Sequence, residues 1–329
     1  MLISITQLIG GFILLVWGAD RLVAGASALA RNLGVSPLII GLTIVAFGTS
    51  APELIVSAVA AFRGNPGLAV GNAIGSNIAN IGLILGVTAA IYPLRVESET
   101  LKREYPVLML IMIGSFIMAA DLVYDRTEGW LLLFGLLALV IWMVRFGMRR
   151  GTEDPLAQEF EAEIPRDMPT GYAVLWMAVG LIVLPLSSSF LVDGAVFIAR
   201  SLHVSEAVIG LTIIALGTSL PELAAALTSA LRQEDDLAIG NVIGSNMFNI
   251  LGVLGIAAAV NPVKVELLML QQDFPVMFVF TVMLFFMAYG INGPGRISRR
   301  SGLLLLALFT SYQVLIWLTA TRIPEAPAT

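Results

Sequence analysis

Two glutamates, Glu53 and Glu222, lie in the middle of long apolar stretches, and each directly follows a proline. An acidic residue at the centre of a membrane helix costs about 2.5 to 3.5 kcal/mol on the insertion scale, so such residues are functional by default. A buried salt bridge is the structural alternative. The apolar stretches nearby carry no interior Lys or Arg, because Arg63 and Arg232 come at their ends. The glutamates therefore predict a cation site.

Oxygen-bearing side chains accompany both glutamates at the spacing of a helix face. They are hydroxyls three and four residues before each glutamate, and a stripe of amides and a hydroxyl, four residues apart, in the next apolar stretch. In chain order they are Thr49, Ser50, Asn72, Ser76, Asn80, Thr218, Ser219, Asn241, Ser245 and Asn249. Such oxygens suit Ca²⁺, which takes about 6 to 8 of them, and ions of the size of Na⁺. The lack of Cys and the single His203 exclude thiolate and multi-histidine sites.

Prolines next to the glutamates predict broken helices. Pro52 and Pro221 lack the N–H that would bond to the carbonyls of Gly48 and Gly217, four residues earlier. Inside a membrane, carbonyls released in this way must find donors or cations.

Small residues and two further amides predict close packing of the helices that carry the stripes. Gly71 and Gly75 are four residues apart, and so are Gly240 and Gly244, a spacing that lets helix backbones approach each other. The amides of Asn77 and Asn246 lie about 100° off the stripes on a helix, and they are expected to bond helix to helix.

The rest of the chain is strongly apolar. Of its 329 residues, 58% are hydrophobic and 12% are charged, whereas about a quarter are charged in soluble proteins. Stretches of about 20 apolar residues, enough to cross a bilayer, predict an all-α polytopic membrane protein with ten transmembrane helices. They lie near residues 4–28, 37–62, 69–92, 105–120, 129–146, 172–199, 206–231, 237–260, 274–291 and 301–320. The net charge of −5, with no basic cluster, indicates no nucleic-acid partner.

The sequence repeats itself at a constant offset of 169 residues. Residues 41–86 and 210–255 align without a gap, with 25 of 46 positions identical. Corresponding helices are five apart, an odd number, so the second copy must cross the membrane in the opposite direction. The chain is therefore predicted to form two inverted five-helix repeats, 1–146 and 171–329, joined by a cytoplasmic linker at 147–170.

Lys and Arg counts predict the orientation in the membrane. With the N-terminus outside, the inner loops hold twelve of these residues and the outer loops five. We therefore expect a multi-pass protein of the cell, or inner, membrane with both termini outside and the central loop in the cytoplasm.

The segments GTSAPEL at 48–54 and GNAIGSNIANI at 71–81, with GTSLPEL at 217–223 and GNVIGSNMFNI at 240–250, resemble the two α-repeats of the sodium/calcium exchanger family within the cation/calcium antiporters. The short bacterial members are the most similar. The resemblance implies ten helices, with the second, third, seventh and eighth around a central site and the first and sixth as sliding gates.

The resemblance also implies which residues bind the ions. They are Ala46, Thr49, Ser50, Glu53, Ser76 and Asn80 in the first half, and Ala215, Thr218, Ser219, Glu222, Ser245 and Asn249 in the second. Ala46 and Ala215 would contribute backbone carbonyls. The sequence departs from the family pattern at Asn249, where exchangers of this kind carry Asp. Two carboxylates and two amides then form the site, which leaves the number of exchanged Na⁺ ions and the electrogenicity open.

The function expected is a secondary active antiporter that exchanges Ca²⁺ for Na⁺ by alternating access, with no cofactor. Protons could compete for the paired acids, so a Ca²⁺/H⁺ exchanger is the nearest alternative, and co-transport of K⁺ stays open. A cation channel is a rival from another class, but inverted repeats with broken helices favour alternating access. A hydrolase is disfavoured because no nucleophile with a base is present, so no enzyme is expected. The partners expected are Ca²⁺, Na⁺ and the lipid bilayer, and the chain is expected to be a monomer.

Other charged residues receive lesser roles. Asp20 and Asp193 lie in predicted helices but are not equivalent at the 169 offset, and each is a candidate for gating. The acidic cluster that includes Glu104 is interpreted as a solvated loop, and His203 as a loop residue.

Overall fold

The computed structural model describes residues 2–35, 46–96, 99–150, 167–202, 204–289 and 295–320. Almost all of them are helical. In chain order the helices are α1 (Leu2–Asn32), α2 (Ala46–Thr49), α3 (Ala51–Phe62), α4 (Pro66–Ile91), α5 (Glu99–Met118), α6 (Arg126–Arg150), α7 (Thr170–Leu202), α8 (Glu206–Thr218), α9 (Leu220–Leu231), α10 (Asp235–Val260), α11 (Phe274–Tyr289) and α12 (Arg299–Ala320). The four short strands are β1 (Leu94–Val96), β2 (Val123–Tyr124), β3 (Val263–Lys264) and β4 (Gly295–Ile297).

Helices long and apolar enough to cross a membrane account for most of the predicted spans. Within the described residues there are eight, and the pair α8 and α9, bent by 42°, would make a ninth. The span predicted at 37–62 is described only from Ala46 onward, so the count of ten stays a prediction. The long helices α1 and α7 extend beyond their predicted bounds at both ends. His203 and most of the predicted linker, residues 151–166, lie outside the described residues.

Both helices that carry a site glutamate are broken just before it. α2 ends at Thr49 and α3 begins at Ala51, while α8 ends at Thr218 and α9 begins at Leu220. The predicted breaks next to Pro52 and Pro221 are thus confirmed. Because each glutamate lies in the first turn of its new helix, the positive end of that helix dipole favours a negative charge there.

The amide helices α4 and α10 lie at the centre of the molecule. In their membrane-crossing stretches 78% and 89% of the residues are buried, against 22% to 39% in the other long helices, whose apolar faces are left for lipid. Both helices widen into a π-helical segment at the same place in the repeat, Asn80–Leu85 and Asn249–Leu254. We did not predict these π-helical segments from the sequence, although such distortions are frequent at functional sites.

Glycines let α4 and α8 touch. A Cβ atom at Gly71 would lie 2.2 Å from the carbonyl oxygen of Ala207, and one at Gly75 would lie 2.7 Å from Leu211 Cα. The close packing predicted for this glycine pair is therefore confirmed. For Gly240 and Gly244 the equivalent neighbours fall among residues 36–45, which the structure does not describe.

Two small antiparallel pairs of strands join the halves of the chain. β1 pairs with β4, and β2 pairs with β3, so each pair takes one strand from either half. Leu94 in β1 and Val263 in β3 are equivalent at the 169 offset, and these strands follow the equivalent helices α4 and α10. The loops beyond the central helices therefore hold the halves together at two related places.

The interpretation of Glu104 as part of a solvated loop is wrong. Its side chain is 3% exposed and lies in α5, and its equivalent Asp273, which accepts a hydrogen bond from Tyr312, is 4% exposed. The reason is that the repeat continues into these helices, where Glu104-Tyr-Pro-Val matches Asp273-Phe-Pro-Val. The acidic residue repeated at the same helical position could have predicted this burial from the sequence.

Candidate cation site

Glu53 and Glu222 lie where the two halves of the chain meet, and neither is exposed. Each accepts a hydrogen bond from a serine of the opposite half. The Ser219 hydroxyl donates to Glu53 Oε1 at 3.3 Å, and the Ser50 hydroxyl lies 3.5 Å from Glu222 Oε1. The two contacts are equivalent at the 169 offset, so the structure brings both glutamates and their serines together as one symmetric pair.

Ser245 of α10 contacts this pair, whereas its equivalent in the repeat, Ser76 of α4, does not. The Ser245 hydroxyl donates to Glu222 Oε1 at 3.3 Å, and Ser50 Oγ lies 3.0 Å from Ser245 Oγ. Ser76, the equivalent of Ser245, instead donates to the amide oxygen of Asn72 at 3.4 Å. The first half of the site is thus arranged differently from the second.

Several of the predicted ligands carry a buried oxygen atom without a hydrogen-bond partner. Among the described residues they include Glu53 Oε2, Glu222 Oε2, Asn80 Oδ1 and Asn249 Oδ1. A buried polar atom without a partner costs about 1 to 3 kcal/mol, and a charged one costs more. Because two carboxylates and two amides share this condition, the set matches the oxygen donors that a hard cation takes.

The site holds fewer acids than a dense acidic metal centre. No group of three or more His, Cys, Asp or Glu that could hold a metal is found in the described part of the chain. The side chain of Asn249 is buried, and neither its Oδ1 nor its Nδ2 has a hydrogen-bond partner among those residues.

The predicted carbonyl ligands are placed in unequal detail. Ala215 O accepts a hydrogen bond from the backbone N–H of Ser219 at 3.1 Å, and Thr218 Oγ1 lies 3.5 Å away. Ala46 is the first described residue of α2. A role for either carbonyl as an ion ligand stays a prediction.

Asn77 and Asn246 bond between helices, as the sequence indicates. The amide nitrogen of Asn80 donates to Asn246 Oδ1 at 2.9 Å, the amide of Asn246 donates to the carbonyl of Asn77 at 3.4 Å, and the amide of Asn77 reaches the sulfur of Met277 at 3.5 Å. These bonds tie α4, α10 and α11 together, and they use the Asn80 nitrogen while leaving its oxygen unpaired.

Asn72 and Asn241 were not among the predicted ligands, and the structure gives them a clear place. The Thr218 hydroxyl lies 3.1 Å from Asn72 Oδ1, and the equivalent Thr49 hydroxyl lies 3.1 Å from Asn241 Oδ1. Thr218 Oγ1 also lies 3.0 Å from the carbonyl oxygen of Ile214, and since a hydroxyl has one proton, it donates to one of these oxygens at a time. The i, i+4, i+8 stripes already contained both asparagines, so the signal was present.

A cavity of about 380 Å³ reaches the site from one side. Its lining residues come from α1, the break between α2 and α3, α9 and α10, and they include Asp20, Thr49, Thr228, Ser229 and Asn241. We call this side of the molecule the Asp20 side. The other residues that line the cavity are apolar or glycine.

The opposite side is closed by equivalent residues. Val23, Ala225 and Leu237 line the cavity, but their partners at the 169 offset, Val192, Val56 and Leu68, are 0% exposed and belong to one apolar cluster. We call this closed side the Arg63 side, after the residue that follows α3. The two sides of the site therefore differ although their sequences correspond.

The two candidate gating acids lie on different sides. Asp20 lines the cavity and forms a salt bridge of 2.7 Å with the neighbouring Arg21. Asp193 in α7 forms a salt bridge with Arg63 on the closed side. A role in gating stays a prediction for both.

Comparison with known proteins identifies the family of this chain. The family model described as "Sodium/calcium exchanger protein" matches residues 3–145 and 172–318. The chain belongs to this family. It is a family of transporters rather than of enzymes, and the resemblance seen in the two α-repeats is confirmed.

Relatives of this exchanger cover nearly its whole length. It is 48% identical over 317 residues to the "Putative antiporter CaxA" of Alkalimonas amylolytica, which covers 96% of this chain and 99% of the relative. It is 41% identical to the "Inner membrane protein YrbG" of Escherichia coli, over 90% of this chain and 92% of the relative. It is 30% identical to the "Sodium/calcium exchanger MaX1" of Methanosarcina acetivorans, over 93% and 96%.

A solved structure shares the fold. The sodium-calcium exchanger NCX_Mj, soaked with 10 mM Na⁺ and 10 mM Sr²⁺, superimposes with a TM-score of 0.66 at 33% identity, over 98% of this chain and 99% of the other. The chain is therefore a membrane exchanger of this fold. The set of twelve predicted ligands stays a prediction.

Proposed function

We propose that this chain is a secondary active antiporter that exchanges Ca²⁺ for Na⁺ at the site between Glu53 and Glu222. The observation that carries the proposal is the pair of buried carboxylates that meet from the two halves, each with one oxygen lacking a partner. Two negative charges offset one Ca²⁺, or they are shared by Na⁺ ions in overlapping positions. The two kinds of ion then compete for the same oxygens, and exchange follows from that competition.

The other ligands complete the oxygen cage. In the proposal the hydroxyls of Thr49, Ser50, Thr218 and Ser219 come from the two helix breaks, and Ser76, Ser245, Asn80 and Asn249 come from α4 and α10, with Ala46 and Ala215 providing carbonyls. The amide oxygens of Asn72 and Asn241 orient the two threonine hydroxyls. Partners of this kind around metal ligands typically change metal affinity by about 10- to 100-fold.

Alternating access is supported by the difference between the two sides. One side has a cavity that reaches Thr49, and equivalent positions on the other side are packed. The closely packed helices α1 and α7 each face one side, so a shift of this pair would close the cavity and open the opposite face. We further propose that the halves are inverted repeats, which would make the two end states related by the same symmetry.

The orientation follows from the Lys and Arg counts. If both termini lie outside, α1 runs inward, so the cavity beside Asp20 opens toward the cytoplasm and Arg63 lies toward the outside. The described conformation would then accept ions from the cytoplasm.

A Ca²⁺/H⁺ exchanger is the second candidate, because the two acids of the proposed site, Glu53 and Glu222, are both fully buried. Two buried acids without a cation are most readily neutralised by protons. A channel has less support, since one side of the site is closed by an apolar cluster while the other is open.

The test is uptake of ⁴⁵Ca²⁺ into sealed vesicles that contain the purified protein. An outward Na⁺ gradient and an outward H⁺ gradient are applied separately, and Glu53→Gln and Glu222→Gln serve as variants that keep the side-chain volume. Uptake driven by Na⁺ and lost in both variants is expected. Uptake driven only by H⁺ would transfer the assignment to proton exchange, and no uptake under either gradient would refute Ca²⁺ transport.

A further inference from the structure

One ion pair joins helix α7 to the end of helix α3 on the closed side. The guanidinium of Arg63 donates to the carboxylate of Asp193, and it also donates to the backbone carbonyl of Ser189, one turn earlier, at 3.2 Å. Both side chains keep part of their surface exposed, at 37% and 54%. The pair therefore lies at the surface of the closed side, where Val192, the neighbour of Asp193, belongs to the apolar cluster.

The repeat contains no equivalent of this ion pair. Arg63 corresponds to Arg232 at the 169 offset, so the basic residue is present in both halves. Asp193 corresponds to Ala24, so the acid is present in the second half alone. The nearest acid of α1 is Asp20, one turn before Ala24, and its carboxylate is already paired with Arg21. Phe190 stands in the other half where Arg21 stands in the first.

We infer that the Arg63–Asp193 ion pair is a latch that acts in one of the two end states only. It forms when α7 packs against α3 and closes the Arg63 side, and it must break when α7 moves away. In the opposite state α1 closes the Asp20 side with Ala24 at the corresponding place, and no ion pair is gained there. The latch therefore shifts the resting population toward the state that is open beside Asp20. This inference rests on the alternating access proposed above.

The expected size of the bias follows from the exposure of the pair. A partly exposed ion pair changes an equilibrium by about two- to fivefold, because solvent screens it. The bias should weaken at high salt, where the screening length falls from about 10 Å at 0.1 M to about 3 Å at 1 M. Neutralising Asp193 should thus raise the fraction open on the Arg63 side by the same factor.

The accessibility of single cysteines measures this fraction without any need for transport. The chain has no Cys, so Val56→Cys and Ala225→Cys introduce unique thiols at equivalent positions, one buried in the closed side and one lining the cavity. The rate of reaction with a charged methanethiosulfonate is measured on purified protein in detergent, in low and high salt. With the native latch, the thiol at 225 should react quickly and the thiol at 56 slowly.

Three changes at the latch are combined with Val56→Cys. Asp193→Asn should raise the labelling rate at position 56 by about two- to fivefold, and the charge exchange Arg63→Asp with Asp193→Arg should restore the slow rate. Ala24→Asp, which places an acid at the position equivalent to Asp193, should also raise it and should slow labelling of Ala225→Cys. Glu266→Gln, the same charge change at an exposed residue that follows β3, is the matched control.

The outcomes separate the latch from the proposed function. An unchanged rate in Asp193→Asn, or a raised rate that the charge exchange fails to restore, would overturn the latch. A thiol at 56 that stays unreactive in every variant and with every ion would instead refute alternating access. Size-exclusion profiles and thermal unfolding of each variant show whether it is folded, and if Asp193→Asn is not, Arg63→Gln tests the same pair from the other partner.

Discussion

Asn72 and Asn241 occupy equivalent places in the repeat, but the structure predicts unequal effects when each is replaced by alanine. Asn72 is buried and makes four contacts. Its amide donates to Ser57 Oγ at 3.0 Å and to the carbonyl of Glu53 at 3.4 Å, and its oxygen accepts from Ser76 and Thr218. Asn241 lines the cavity, its oxygen accepts from Thr49, and its nitrogen has no partner among the described residues. The reason lies in α9, where Ala226 stands in the place of Ser57.

The size of each loss in Ca²⁺ affinity follows from the hydrogen-bonding groups that lose a partner. Asn72→Ala leaves the buried Ser76 hydroxyl without its acceptor at a cost of about 1 to 3 kcal/mol, and Thr218 loses one acceptor while it keeps the carbonyl of Ile214 at 3.0 Å. We expect the apparent affinity for Ca²⁺ to fall by about 10- to 100-fold. Asn241→Ala leaves Thr49 beside a cavity that water can enter, so its loss should be at least several-fold smaller.

Calcium binding is measured by titration calorimetry on the purified protein, together with the Ca²⁺ dependence of uptake. Ser57→Ala separates the two roles of Asn72. It removes the hydroxyl that accepts a hydrogen bond from the Asn72 amide, and it leaves the contact between Asn72 and Thr218 intact. Equal losses in Asn72→Ala and Asn241→Ala, or a larger loss in Asn241→Ala, would refute the reasoning from burial and hydrogen bonding.

Three other changes test separate parts of the structure. Asn249→Asp adds a third carboxylate where both amide atoms lack partners among the described residues, so Ca²⁺ affinity should rise and the charge moved per cycle should change. Uptake at imposed membrane potentials measures that charge. No change in either quantity would place Asn249 outside the site. Gly71→Val should disrupt the contact between α4 and α8, since even a Cβ atom there lies 2.2 Å from Ala207 O, whereas Gly67→Ala, with 3.9 Å to its nearest neighbour, should leave the thermal unfolding temperature unchanged. Tyr312→Phe removes the hydroxyl that donates to the buried Asp273 at 2.9 Å, and it should lower the free energy of unfolding by about 1 to 3 kcal/mol without changing ion selectivity. A Tyr312→Phe protein as stable as the parent would mean that the bond contributes nothing.

The sequence by itself determined the class of protein and the family, and it predicted the residues of the site. Hydropathy locates the spans because a bilayer fixes the length of an apolar helix. The prolines located both helix breaks, and the 169 offset paired Glu53 with Glu222 and each serine with its counterpart, because a duplicated sequence repeats the same local constraints. Asn77 and Asn246 were correctly separated from the stripe by helix periodicity alone.

Only the tertiary structure decided how the halves differ. The two sides correspond in the repeat, yet Val56 is packed and Ala225 lines a cavity, because their neighbours come from other parts of the chain. Burial of Glu104 and the orientation of Asn72 depend on neighbours far along the chain, as does the pairing of Arg63 with Asp193 across 130 residues. The repeat gives both halves the same local sequence pattern, and the packing of the two halves against each other makes equivalent residues differ in burial and contacts.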